Sequence, residues 1–172
     1  PVNRLTFYWR RAMRMTLIQP FTGGFDIEPP KSLACIAAVL DRAGHEVRLL
    51  DLQQCAVRNE WEKLYMSEPT DVVGITTMTP QVIDAHNVAM KVKELTPEIP
   101  IICGGVHPTL LPKQTLEEFE AFDLLVLGEG ETTALELAER FDEGKELMDA
   151  SVKGIAYRSD NGTVVTEQRE RI

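Results

Sequence analysis

Asp71-Val-Val-Gly-Ile-Thr-Thr-Met-Thr-Pro80 decides how this chain is read. Its first six residues are a short, nearly continuous apolar run, the pattern of a strand covered on both faces. Its last residues are threonine-rich and end in a proline, which starts a helix. That helix runs to about Leu95 and carries Val82, Ile83, Val88, Ala89 and Val92 on one side.

The same alternation extends in both directions. Upstream lie a strand over residues 15–19 and a helix over 32–43, with Leu33, Ile36, Ala37 and Leu40 at helical spacing and Gly44 as its stop. A second strand over 46–51 and a weaker helix over 53–66 follow. Downstream come a strand over 100–103, a short helix over 111–119, a strand over 123–127 and a helix over 131–141. Five apolar strands alternating with helices make an α/β domain with a parallel sheet covered on both faces. The expected fold is flavodoxin-like (Rossmann-like), five-stranded, in the order 2-1-3-4-5. Beyond Gly144 the pattern changes, and residues 154–158, Asp160-Asn-Gly162 and 163–166 read as a C-terminal β-hairpin with an Asn-Gly turn.

The composition narrows the class. The chain has 172 residues, 44% hydrophobic and 26% charged, enough for one domain with a sizeable core. Lys plus Arg is 18 against 27 Asp plus Glu, a net charge of −9, which argues against nucleic acid as a partner. No stretch is apolar enough for a membrane span, and the charges within residues 1–14 exclude a signal peptide, so the expected location is cytoplasmic. Cys35, Cys55 and Cys103 are scattered and make no disulfide framework, zinc site or iron–sulfur site.

In an open parallel sheet, ligands bind beyond the carboxyl ends of the strands. The loops to read are therefore Pro20 to Pro30, Thr76 to Pro80, Gly104 to Thr109 and Gly128 to Glu131. All are rich in Gly, Pro or Thr, which suits backbone and hydroxyl contacts to a large ligand. Each has a plainer reading. Gly104-Gly105 also fits a tight turn, Thr76, Thr77 and Thr79 fit helix caps, and Gly128-Glu-Gly-Glu131 fits a strand-to-helix connection. His107 is either a ligand contact or a surface residue, while His45 reads as structural and His86 as surface or packing. The three show no metal-ligand spacing. A phosphoryl-accepting receiver needs an aspartate where Thr76 and Thr77 stand. Thr22-Gly23-Gly24 only partly echoes a flavodoxin phosphate loop, and Thr133 occupies the third glycine position of a dinucleotide fingerprint begun by Gly128 and Gly130.

Taken together, residues 29–51, Asp71 to Pro80, Ile102-Cys-Gly-Gly-Val-His-Pro-Thr109, residues 123–131 and the segment from Gly154 resemble the cobalamin-binding N-terminal domains of radical S-adenosylmethionine enzymes. These include the anaerobic magnesium-protoporphyrin ester cyclases and the cobalamin-dependent radical methyltransferases. The resemblance covers roughly residues 14–172. It implies a corrinoid over the carboxyl edge of the sheet, with its nucleotide tail between sheet and helix. It places cofactor contacts at Thr22, Gly23, Gly24, Thr76, Thr77, Met78, Thr79, Gly104, Gly105, His107, Gly128, Glu129 and Gly130, with no catalytic or metal-ligating residue in this chain.

Two departures from related patterns matter. The Asp-x-His-x-x-Gly motif of other cobalamin domains is absent around Phe25 to Pro30, which implies base-off binding without a histidine lower ligand. The Cys-x-x-x-Cys-x-x-Cys triad of the radical domain is also missing. The implied organisation is a leader of unreadable role (1–13), the cobalamin domain (14–150), then the hairpin and the start of a linker (151–172) to a C-terminal radical domain. That domain would bring a 4Fe-4S cluster and S-adenosylmethionine. The competing readings are a cofactor-free interaction domain and a flavin or nucleotide binder of the same fold.

Overall fold

The computed structural model describes residues 12–21 and 29–170, with Cys55 described by its backbone alone. The chain opens with β1 (Arg14–Gln19), α1 (Lys31–Arg42), β2 (Glu46–Asp51) and α2 (Cys55–Met66). It continues through β3 (Val72–Thr76), a 3-10 turn (Thr79–Gln81) and α3 (Val82–Leu95). Then come β4 (Ile101–Gly104), α4 (Val106–Leu110), α5 (Pro112–Glu118), β5 (Leu124–Val126) and α6 (Glu131–Asp142). β6 (Ile155–Ser159) and β7 (Gly162–Val165) close it.

These strands form one sheet in the order β2-β1-β3-β4-β5-β6-β7. The first five are parallel and follow the expected 2-1-3-4-5 order. The expectation of five strands is corrected to seven, because the hairpin joins the sheet. β6 pairs antiparallel with β5, setting Leu124 opposite Tyr157 and Val126 opposite Ile155. Ile155, Ala156 and Tyr157 are all buried, so this strand is covered on both faces like its neighbours. β7 pairs with β6 across a two-residue turn at Asp160-Asn161, one position before the expected Asn-Gly, and Gly162 opens β7 opposite Ser159 at φ +108°.

Strict alternation along the strands separates two cores. Val73 and Ile75 of β3, Ile101 and Cys103 of β4 and Leu125 of β5 face one side, packed with Tyr65 of α2, Ala85 and Val92 of α3 and Leu116 of α5. Met15 and Leu17 of β1, Val72, Ile102 and Val126 face the other side, under Leu33 and Leu40 of α1 and Leu137 and Ala138 of α6. Each fully buried leucine or isoleucine contributes about 2 kcal/mol. The starts of β1 and β3 are tied by a bidentate pair: the Arg14 guanidinium donates to both carboxylate oxygens of Asp71, at 2.9 and 2.6 Å. Arg158 of β6 donates to the carbonyls of Leu116, Phe119 and Phe122, closing the end of α5 onto the hairpin.

Two local expectations are also corrected. Residues 106–110, read as loop, form the short helix α4, so the expected helix over 111–119 is the second of a pair. Thr79 does not cap the helix after β3. The Met78 N–H is satisfied instead by the Gln81 side-chain oxygen at 3.1 Å, and the Thr79 hydroxyl bonds His107.

Candidate functional site

A slot of about 530 Å³ opens at the carboxyl edge of the sheet and runs down between the sheet and the layer made by α1 and α6. That volume lies within the ~300–1,000 Å³ usual for small-molecule sites. Its inner wall descends β3 from Thr76 through Gly74 to Val72, four residue steps, a depth of about 13 Å at ~3.3 Å per residue. Leu17 of β1 and Ile102 of β4 flank that wall, and Leu33, Ile36, Ala134 and Leu137 close it from the helices. Met13 and Leu147 line it as well.

The rim is different in kind. Thr76, Thr77, Met78, Gly104, Gly105, Gly128, Glu129 and Gly130 all line the slot, so eight of the expected contact residues are brought together. Three loops meet there because backbone and hydroxyl groups stitch them. Thr77 N–H donates to the Gly104 carbonyl at 2.8 Å, and His107 N–H donates to the Thr77 carbonyl at 3.3 Å. The Thr109 hydroxyl donates to the Gly105 carbonyl at 2.7 Å and accepts the Gly128 N–H at 3.0 Å, linking the loop after β4 to the loop after β5. Val106 and Leu110, one helical turn apart on α4, are exposed beside the opening, as is Met78. They form an apolar ledge at the mouth.

Two expected contacts, Thr79 and His107, are not among the residues that line the slot. His107 is buried, and its Nδ1 lies 3.2 Å from the Thr79 hydroxyl, away from the slot. Thr22, Gly23 and Gly24, with residues 1–11 of the expected leader, lie outside the described residues. Neither of the other histidines lines the slot. His45 is buried and its Nδ1 accepts the Met13 N–H at 3.3 Å. His86 packs against Phe119 and Phe122, with ring centroids 5.2 and 6.0 Å away.

His86 and His107 both pack against the Phe119 ring, with centroids 5.2 and 6.2 Å away, and among the described residues His86 Nδ1 and His107 Nε2 have no hydrogen-bond partner. Burial holds both imidazoles below the ordinary value of 6.5, against weaker opposite pulls from Glu120 and Glu118. The unfolded chain therefore takes up protons first as pH falls. Stability from this pair is complete above 6.5 and declines as pH drops below it, until the folded values are reached. Urea unfolding is expected to show lower stability at pH 5.5 than at pH 7.5. The double variant His86→Phe, His107→Leu should flatten that dependence, and an equal slope in the variant would refute the assignment.

Gly74 is the lining residue that sequence reasoning passed over. A Cβ there would stand 2.7 Å from Leu17 Cδ2 and 3.3 Å from Met15 Cε, inside the slot wall. The signal was present, since a glycine in the middle of an apolar strand marks a close approach. The helix contacts Ser32, Ile36 and Leu137 had no such mark.

An open α/β sheet with a deep slot beside the point where strand order reverses, between β1 and β3, defines a cofactor-holding domain. The chain belongs to the B12 binding domain family, whose model matches residues 25–138. It is 34% identical over 170 residues to the anaerobic magnesium-protoporphyrin IX monomethyl ester cyclase of Rubrivivax gelatinosus, covering 92% of this chain and 30% of that protein. It is 34% identical over 140 residues to an uncharacterised methyltransferase of Pyrococcus horikoshii, covering 81% of this chain and 30% of that protein. In fold it matches the radical S-adenosylmethionine methyltransferase TsrM from Kitasatospora setae with cobalamin and a 4Fe-4S cluster bound, at a TM-score of 0.79 and 23% identity, over 94% of this chain and 30% of that one. The chain thus spans 30% of the length of each. No helix among the described residues is long and apolar enough to cross a membrane.

Proposed function

We propose that this chain holds cobalamin, with the nucleotide tail in the slot and the corrin ring over the rim. The observation that carries this reading is the change of character along the slot. An apolar channel suits a flat aromatic base, and glycine and threonine loops suit a phosphate, a ribose and amide side chains. The fit is local and physical. Gly104 leaves its position on the slot wall open, since a Cβ there would meet only the Val126 carbonyl at 3.7 Å. The ledge of Met78, Val106 and Leu110 offers apolar surface to the ring. When bound, cobalamin supplies a cobalt centre able to carry a methyl group.

Binding is base-off and without a histidine from the protein. Residues 25–30 contain no histidine, and none of the three histidines lines the slot. In the complete protein the domain would serve a C-terminal radical S-adenosylmethionine module with its 4Fe-4S cluster, as a methyltransferase or an oxidative cyclase. The similarity to both kinds of relative supports that reading.

The test is retention. Apoprotein mixed with hydroxocobalamin and desalted should keep a corrinoid spectrum. After reduction to the Co(II) state, paramagnetic resonance should lack nitrogen splitting from an axial ligand. A folded chain that emerges colourless would instead support a cofactor-free interaction domain, and a retained flavin would support the third reading. Nitrogen splitting would sink the histidine-free mode.

A further inference from the structure

The slot is polar at its rim and apolar below it. Beneath Thr76 the walls include Leu17, Val72, Gly74, Ile102, Leu137 and Leu147, none with a hydrogen-bonding side chain, while the polar lining residues Ser32 and Glu131 stand in the first turns of α1 and α6, at the carboxyl edge. The backbone offers nothing in compensation. β3 is paired on both sides, with Leu17 opposite Gly74 on β1 and Ile102 opposite Gly74 on β4. Its amides and carbonyls are committed to the ladders. A guest reaching this depth meets a surface with no donor or acceptor for it.

We propose that the slot selects among corrinoids by the lower base at the end of the nucleotide tail. It takes a base whose six-membered ring is apolar and rejects an adenine-type base. The inference rests on the reading of the slot as the seat of the tail. The imidazole nitrogens are common to benzimidazole and adenine, so their contribution cancels. The difference lies in the second ring. In benzimidazole that ring is a methylated carbocycle, which gains from leaving water. In adenine it carries two ring nitrogens and an amine, each bonded to water outside and unmatched inside. Buried polar groups left unmatched in this way correspond to an affinity lower by about 10- to 100-fold.

The experiment compares three corrinoids on the 172-residue chain by absorbance titration and ultrafiltration: cobalamin, the p-cresolyl analogue and the adenyl analogue. The p-cresolyl base has no nitrogen to bind cobalt, so it separates base polarity from the effort of releasing the base. Cobalamin and the p-cresolyl form are expected to bind within about fivefold of each other, and the adenyl form at least tenfold more weakly. Equal affinity of the adenyl form overturns the proposal while leaving the cobalamin reading intact. Binding of none of the three refutes the cobalamin reading, and the proposal with it. Leu147→Gln brings an amide to the slot from the half-buried loop after α6, with little risk to folding. It should narrow the adenyl to p-cresolyl ratio at least threefold, and an unchanged ratio overturns the assignment of selection to the slot wall.

Discussion

Gly105→Ala lowers the stability of the domain by about 3 kcal/mol or more, seen as a fall in the urea midpoint with little change in slope. The expectation rests on two independent costs. Gly105 sits at φ +103° and ψ −168°, a backbone region open to essentially no residue but glycine. An added Cβ would also stand 2.5 Å from the Thr77 carbonyl oxygen, 2.9 Å from the Thr77 nitrogen and 3.1 Å from the Thr76 hydroxyl. Two of those atoms are backbone, and Thr77 is fully buried and bonded to Gly104 and to His107. The loop has nowhere to retreat. A variant within 0.5 kcal/mol of the parent, below the ordinary cost of a surface change, would show that the contact is easily relieved.

Gly104→Leu should do the reverse. It is expected to change the unfolding free energy by less than ~1 kcal/mol while weakening hydroxocobalamin retention about 100-fold. Gly104 ends β4 on the same face as Ile102, and its backbone is one that any residue adopts. A Cβ would make only ordinary contact, at 3.7 Å, with the Val126 carbonyl. The leucine side chain therefore has room, and the room it takes is the mouth of the slot. Circular dichroism and a melt report the first effect, and titration with the corrinoid reports the second. A folded variant that binds like the parent would remove the slot as the seat of the tail. Two neighbouring glycines thus separate cleanly: Gly105 builds the loop, and Gly104 keeps the entrance clear.

Most of the architecture was legible because it depends on local pattern. Apolar runs such as 71–76 and the helical spacing of Leu33, Ile36 and Leu40 report burial directly. Gly44, which follows α1 at φ +92°, marks the helix end that the sequence signals. The rim was legible because glycine and threonine cluster in the loops that topology brings together. What stayed hidden depends on partners distant in sequence. The side of β5 taken by β6 is set by pairing between residues about 30 positions apart. The short α4 carries Pro108 and follows two glycines, a poor helical sequence held by tertiary bonds from Thr79 and Gly128. The direction of His107 follows from that same helix. Its motif suggested a ligand contact, but α4 turns Val106 and Leu110 outward and His107 inward.

The two faces of the sheet are finished by different means. On the α2, α3 and α5 side, the chain supplies its own filling: Tyr65, Phe122 and Leu116 are almost wholly enclosed. On the α1 and α6 side it leaves about 530 Å³. On the proposed reading, such a domain is complete on one side at synthesis and finished by a guest on the other. Its melting temperature is then no fixed property of the sequence but a reading of how much guest is present. A hundredfold excess of guest over its dissociation constant would add about 2.7 kcal/mol. Among amides that exchange by local opening, the added protection should appear in α1 and α6 and leave α2 and α3 unaltered, while amides that exchange by global unfolding slow throughout.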